Sequence, residues 1–267
     1  MEQIKRTGII GLGAMGLQMA KHMAAKGFDV LGYDIDAEAM KRAQAAGVRT
    51  ADAAAIGRHA EVAIVMVATD EQVRECVQSL LQHLAPGAVI CVASSVAPET
   101  CRDMAALAYK RGLGVLDTPV VLGQEAANNG TLTVYVGGED AAFQRAKPVL
   151  AAFGREVLHL GACGNGQIAK TINNMLLWAC MTANFEALGL ARKLGGDIPR
   201  LVAALGHGSG ANWSLSRWGK STGKWSEKDM DVALGLAQDA KMPVPLAGLV
   251  DQLVKQIDQE KMKALLS

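Results

Sequence analysis

The sequence predicts an α/β domain with a mostly parallel sheet, then an all-α C-terminal domain, with a long interdomain helix joining them. Three observations predict this. An apolar run at residues 8–10 breaks at Gly11-Leu12-Gly13-Ala14-Met15-Gly16 and restarts at helical spacing through Met19, Ala20 and Met23. Strand-length apolar runs then alternate with helical patterns as far as Leu160, as in a sheet covered on both faces. From Gly164 the strand patterns vanish and helical patterns take over, so the domains are expected at 1–162 and 163–267.

The first elements carry a nucleotide-binding turn. Strand, Gly-x-Gly-x-x-Gly and helix in that order is the dinucleotide (Rossmann) fingerprint. Gly11 allows the tight turn, Gly13 lets the backbone approach a pyrophosphate, and Gly16 lets helix and strand pack closely. The helix N-terminus offers unpaired N–H groups and a positive dipole end to phosphates. Leu12, Ala14 and Met15 therefore join the glycines as expected cofactor contacts. Residues 28–33 read as the second strand. Asp34 ends it, about 20 residues past the glycines, where a carboxylate takes the ribose hydroxyls of NAD. Ile35 follows, not arginine, so nothing offsets the repulsion of a 2′-phosphate and NAD is expected over NADP. The alternative role for Asp34 is to cap a helix beginning near Ala37, which Asp36 could also do.

The remaining elements follow in turn. Strands are read at 62–67, 88–92 and 113–116, and helices at 70–83 and at 98–111, the latter opened by Pro98. Residues 132–136 and 157–160 are read as closing the sheet, with a helix at 141–153 between them. Ligands in such a sheet sit beyond the strand C-termini. The loops at Met66-Val67-Ala68, at Ser94-Ser95 and at 119–123 are therefore expected to line one crevice. Helices at 167–194, 198–204, 228–240 and 245–263 make the second domain.

Composition narrows the function classes. Half of the 267 residues are apolar, which supports a sizeable core, and the formal charge is +1 with no basic cluster, so nucleic acid is not the expected partner. No apolar run approaches membrane-spanning length, and the N-terminal residues enter the first strand with no signal-peptide pattern. Five scattered cysteines with no metal-like spacing suggest reduced structural thiols, a cytoplasmic location and no metal. His22, His59, His83 and His159 read as surface or structural groups, and His207 lies near the expected pocket.

The long helix carries the candidate chemistry. Lys170 and Asn174 are four residues apart and share a face, and Leu177, Trp178, Met181 and Phe185 on or beside it are apolar. A lysine on an apolar face is costly without work or a partner. Desolvation, or a neighbouring cation such as Lys228, brings such an amine toward neutrality, which suits proton exchange with a substrate hydroxyl. The alternative is a lysine snorkelling at a helix end.

With these motifs in view, the chain resembles the β-hydroxyacid dehydrogenase family, which includes 3-hydroxyisobutyrate dehydrogenase and is related to 6-phosphogluconate dehydrogenase. The glycine turn with Met19-Ala20 is similar to its cofactor motif, and Gly164-x-Gly166-x-x-x-Lys170-x-x-Asn173-Asn174 to its catalytic motif. Lys228-Asp229, with Ala233-Leu234, Ala237 and Pro243-x-Pro245, is similar to its C-terminal signature. Gly130-Thr131-Leu132 and Gly137-Gly138 also match, so the likeness covers essentially the whole chain. The resemblance implies an NAD-dependent oxidoreductase acting on a small hydroxyacid or its semialdehyde or keto form. It implies Lys170 as general acid/base, Asn174 as its partner, and Asn173 at the substrate. Lys228 falls beside nicotinamide and substrate, and Ser95 at the cofactor. It also implies a homo-oligomer, dimer or tetramer, built on the helices.

The sequence departs from that pattern in the substrate loop. The family's Asp-x-Pro-Val-Ser-Gly-Gly is here Asp117-Thr118-Pro119-Val120-Val121-Leu122-Gly123. Val121 loses a hydroxyl that helps to hold the substrate carboxylate, and Leu122 adds bulk where the family has glycine. These changes argue against a compact, charged β-hydroxyacid as substrate. The alternative is that the main-chain donors, which remain, suffice, and Asn212 is a candidate to supply a compensating polar group. The segment 213–225 is shorter than the family usually carries, which suggests a changed pocket lid. Two other readings stand beside the dehydrogenase. One is an imine reductase, although such enzymes usually place Asp or Tyr where Lys170 stands. The other is a non-catalytic cofactor-binding protein.

Overall fold

The computed structural model describes residues 4–220, 223 and 225–266. The reading of residues 1–3 lies outside the described residues, as do Ser221, Thr222 and Lys224 of the 213–225 segment. The chain divides into two compact units, Met1–Lys170 and Thr171–Ser267.

In the first unit, strands and helices alternate as β1 (Arg6–Ile10), α1 (Ala14–Ala25), β2 (Asp29–Tyr33), α2 (Ala37–Ala45), β3 (Arg49–Thr50), α3 (Ala53–His59), β4 (Val62–Val65), α4 (Asp70–Leu81), β5 (Val89–Val92), α5 (Pro98–Tyr109) and β6 (Gly114–Asp117). The strands form one parallel sheet in the order β3-β2-β1-β4-β5-β6. Every residue of β4 and β5 is buried, as continuous apolar runs in central parallel strands require. Strand side chains alternate between two cores. Ile64 and Cys91 join one, and Ala63, Val65, Ile90 and Val92 join the other. The strand order reverses between β1 and β4, so the crevice lies where the loops after these two strands part.

The chain then forms β7 (Val120–Val121), α6 (Gly123–Asn129), β8 (Leu132–Val136), α7 (Asp140–Leu150) and β9 (Gly154–His159). These strands do not close the main sheet, contrary to the sequence reading. They form a separate sheet in the order β7-β8-β9, with β7 antiparallel and β9 parallel to β8. Both edges of β8 are occupied by β7 and β9, and Gly137 just past its end forms an isolated antiparallel bridge with Asp117 of β6.

In the second unit lie most of α8 (Asn165–Lys193), then α9 (Ile198–Leu205), α10 (Trp213–Ser216), α11 (Ser226–Asp239), α12 (Pro245–Val254) and α13 (Gln259–Ala264). Trp178, Met181, Leu188, Trp218, Met230, Val250 and Met262 build its core. The single helix expected over 245–263 is two helices. Asp258 accepts a hydrogen bond from the Lys261 N–H at 2.8 Å and so begins α13 as a new helix. Along α8, Ile168, Ile172, Leu176 and Leu190 remain exposed, as does Leu194 just past its end. Among the described residues no helix is long and apolar enough to cross a membrane.

Candidate functional site

The glycine turn leaves no room for side chains at two of its positions and open space at the third. Gly11 has φ +98°, and a methyl there would stand 2.0 Å from the Met66 carbonyl oxygen. A methyl on Gly16 would stand 1.9 Å from the Gly11 oxygen. At Gly13 it would meet nothing within 4 Å. Gly13 is also the N-cap of α1, extended and without a side-chain cap. An uncapped helix end with open space above it fits an anionic phosphate. Ala14 is exposed there and Met15 half-buried.

Asp34 is fixed against this turn. Its Oδ2 accepts the Leu12 N–H at 2.7 Å and its Oδ1 the Asp36 N–H at 2.9 Å. The helix-capping role belongs to Asp36, whose carboxylate accepts from the N–H groups of Glu38 and Ala39. Ile35 beside it is 90% exposed. The arrangement fits a dinucleotide, with a phosphate cradle and a carboxylate placed by the same loop.

The neighbouring loops are tied together. After β4, the Val67 N–H donates to Ser94 Oγ at 2.8 Å, and the Ala68 N–H to Gln72 Oε1 at 2.8 Å. Thr69 and Gln72 form a capping box that opens α4. Asp70 Oδ1 accepts from Thr100 Oγ1 and the Ala97 N–H, which joins the starts of α4 and α5. Ser95, expected at the cofactor, is half-buried, whereas Ser94 is buried and bridges the loops.

The helix bearing Lys170 begins on a buried carboxylate. Asp117 Oδ1 accepts the Gly164 N–H at 2.7 Å and its Oδ2 the Gln167 N–H at 2.8 Å. The Gln167 side chain donates to the Ser94 carbonyl at 2.7 Å and accepts from the Val96 N–H at 3.3 Å. Lys170 follows one turn later and is half-buried, and Asn174 a further turn on is buried. Asn173 Nδ2 donates to Asn174 Oδ1 at 3.1 Å. The sequence reading gives Asp117 and Gln167 no role and takes Ser94 only as part of a crevice-lining loop. Asp117 at a strand end before Pro119, and Gln167 inside the lysine motif, were the available signals.

The altered loop has an unusual backbone. Val121 is buried in β7, and Leu122 adopts φ +82°, ψ 0°, the left-handed conformation that favours glycine. Leu122 packs against the core cluster that also takes Met15 and Met66. Gly123 has φ +71° and opens α6. Gln124 Nε2 donates to the Ala14 carbonyl at 3.0 Å and so holds α6 beside the start of α1.

In the second unit, the Asn212 amide is already engaged. Its Oδ1 accepts from the Leu215 N–H, Ser214 Oγ and Asn184 Nδ2, and its Nδ2 donates to Asn184 Oδ1 and the Gly210 carbonyl. It caps α10 rather than standing ready for a ligand. Lys228 is exposed in the first turn of α11, whose Asp229 accepts from Trp178 Nε1 at 3.0 Å.

Burial pushes the Cys76 thiol up to about 11, helped by Glu75 and Asp34, and the Cys163 thiol up to about 12, helped by Asp117. Such thiols are not activated nucleophiles. His22, His59 and His159 each bond a backbone carbonyl, which is a structural use, and His207 is exposed. Among the described residues no group of three or more His, Cys, Asp or Glu could hold a metal ion.

Comparison with known proteins gives a consistent pattern. The family model described as the NAD binding domain of 6-phosphogluconate dehydrogenase matches residues 6–161. That described as NAD-binding of NADP-dependent 3-hydroxyisobutyrate dehydrogenase matches residues 164–265. An NAD-dependent L-serine dehydrogenase of Pseudomonas aeruginosa is 36% identical over 79% of this chain and 72% of its own. A 3-hydroxyisobutyrate dehydrogenase of the same organism is 34% identical over 91% of this chain and 89% of its own. The Mycobacterium tuberculosis 3-hydroxyisobutyrate dehydrogenase solved with L-serine covers all of both chains at 27% identity and a TM-score of 0.89.

Proposed function

The chain belongs to the β-hydroxyacid dehydrogenase family, and from that premise we propose that it oxidises or reduces a small hydroxyacid with Lys170 as the proton-transfer group. It is an NAD-dependent oxidoreductase acting on a CH–OH group. The observation that carries the proposal is the seating of Lys170. It stands half-buried one turn beyond a helix start held by Asp117 and Gln167.

Bound NAD supplies the hydride acceptor for the oxidation. The chain's own residues bind, orient and move the proton. The open end of α1 takes the pyrophosphate and Asp34 the ribose hydroxyls. As the hydroxyl carbon loses hydride, the neutral Lys170 amine accepts the hydroxyl proton, and in reduction the ammonium returns it. Asn174, one turn along the same helix, orients the amine or the substrate oxygen. Lys228 is assigned the stabilisation of developing negative charge.

The relatives' names suggest serine-like or 3-hydroxyisobutyrate-like substrates. Val121 and Leu122 argue for a substrate bulkier or less charged than those of the relatives, unless main-chain donors alone hold the carboxylate, because the loop has lost its hydroxyl and gained bulk. The five scattered, free cysteines support a reducing, cytoplasmic setting. The exposed Ile168, Ile172, Leu176 and Leu190 on α8, with Leu194 just past its end, support a dimer or tetramer. A monomer in sizing with light scattering at micromolar concentration overturns that assembly.

Replacement of Lys170 tests the mechanism. Lys170→Ala is expected to lower turnover by roughly 10²–10⁴, the usual contribution of a positioned acid/base, and to leave NAD affinity within a few-fold. Lys170→Arg is expected not to rescue it, because a guanidinium does not give up its proton. Turnover retained in Lys170→Ala on the best substrate of a hydroxyacid panel refutes the assignment.

A further inference from the structure

Gln167 is only 1% exposed, and its amide is engaged at both ends. Nε2 donates to the Ser94 carbonyl at 2.7 Å and lies 3.8 Å from Cys101 Sγ, while Oε1 accepts from the Val96 N–H at 3.3 Å. These partners stand 66 to 73 residues away along the chain. A leucine or methionine would fill the same space without burying an amide, so packing alone does not call for glutamine. The Asp117 carboxylate meets α8 through main-chain N–H groups and fixes where the helix starts. The Gln167 side chain projects from the helix surface and so fixes the rotation of α8 about its own axis. Ser94 extends the tie, because its Oγ accepts the Val67 N–H from the loop after β4.

We propose that Gln167 is a positioning residue: its side chain sets the rotation of α8 against the 94–96 loop and thereby the place of Lys170, one turn further on. Residues at i and i+3 share a helix face, so rotation at Gln167 moves Lys170 with it. A misplacement of about 1 Å can cost about 10²-fold in rate. The inference rests on the reading of Lys170 as the proton-transfer group.

Two variants test it, each assayed beside Lys170→Ala. Gln167→Met keeps length and apolar bulk and removes both polar contacts. It is expected to lower kcat by about 10–100-fold and to leave KM and the Kd for NAD within a few-fold. Gln167→Glu keeps the shape and the acceptor and puts a carboxylate against the Ser94 carbonyl. A buried carboxyl has a raised pKa, and once protonated it can donate again. Its kcat relative to the parent protein, in the reductive direction, is therefore expected to be low at pH 8 and to recover toward pH 6. Full kcat in a folded Gln167→Met, or a Gln167→Glu ratio that stays constant with pH, overturns the proposal while Lys170→Ala stays inactive. If Gln167→Met does not fold, the pH ratio of Gln167→Glu decides. Turnover retained in Lys170→Ala refutes the underlying reading instead.

Discussion

Two helix starts in the first unit are opposites. At the start of α1 the N-cap is Gly13, which makes no side-chain cap, and an added methyl there would meet nothing within 4 Å. At the start of α8 the Asp117 carboxylate takes two N–H groups, and a methyl on Gly166 would stand 2.7 Å from Asp117 Oδ2. Both helices present the same unpaired donors to begin with. The first leaves them open, as the pyrophosphate site proposed there requires, and the second spends them on an anion already in the chain. An open end binds, whereas a closed end holds still what the helix carries.

Opening the closed end has the largest expected effect on stability. Asp117→Ala leaves the Gly164 and Gln167 N–H groups buried without their acceptor, at an expected loss of about 2–4 kcal/mol in urea unfolding. A loss under about 1 kcal/mol means that water replaces the carboxylate and the end is not closed as described.

Closing the open end comes next. Gly13→Asp adds a cap and a negative charge where space is free. Affinity for NAD, measured by calorimetry, is expected to fall about 100-fold, or about 2.7 kcal/mol, while Tm holds or rises. Unchanged affinity places the pyrophosphate elsewhere.

The smallest effect concerns the carboxylate beside the open end. NAD is expected to bind at least about tenfold more tightly than NADP, about 1.4 kcal/mol, and Asp34→Ala to narrow that gap. Equal affinities in the unsubstituted protein remove Asp34 from the ribose.

The residues of the open end are legible in the sequence, because their chemistry is local. Gly11, Gly13 and Gly16 lie from the end of β1 into the first turn of α1, and Asp34 directly follows β2. The alternation of apolar runs likewise places five of the six strands of the main sheet to within a few residues, and misses only the two-residue β3. The lysine motif was visible through its helical spacing.

Only the tertiary structure decided the rest. Asp117 meets its partners across 47 and 50 residues and Gln167 across about 70, and no local pattern encodes such pairings. The short helices α3, α6 and α10 have seven residues or fewer, too few to display a helical period. The separate β7-β8-β9 sheet depends on which edges of β8 are already occupied, and the Asn212 amide on a partner one helix away. Periodicity reports what a residue's neighbours in the chain demand. The closing of a helix end, the edge of a strand and the engagement of an amide are settled by groups that only folding brings near.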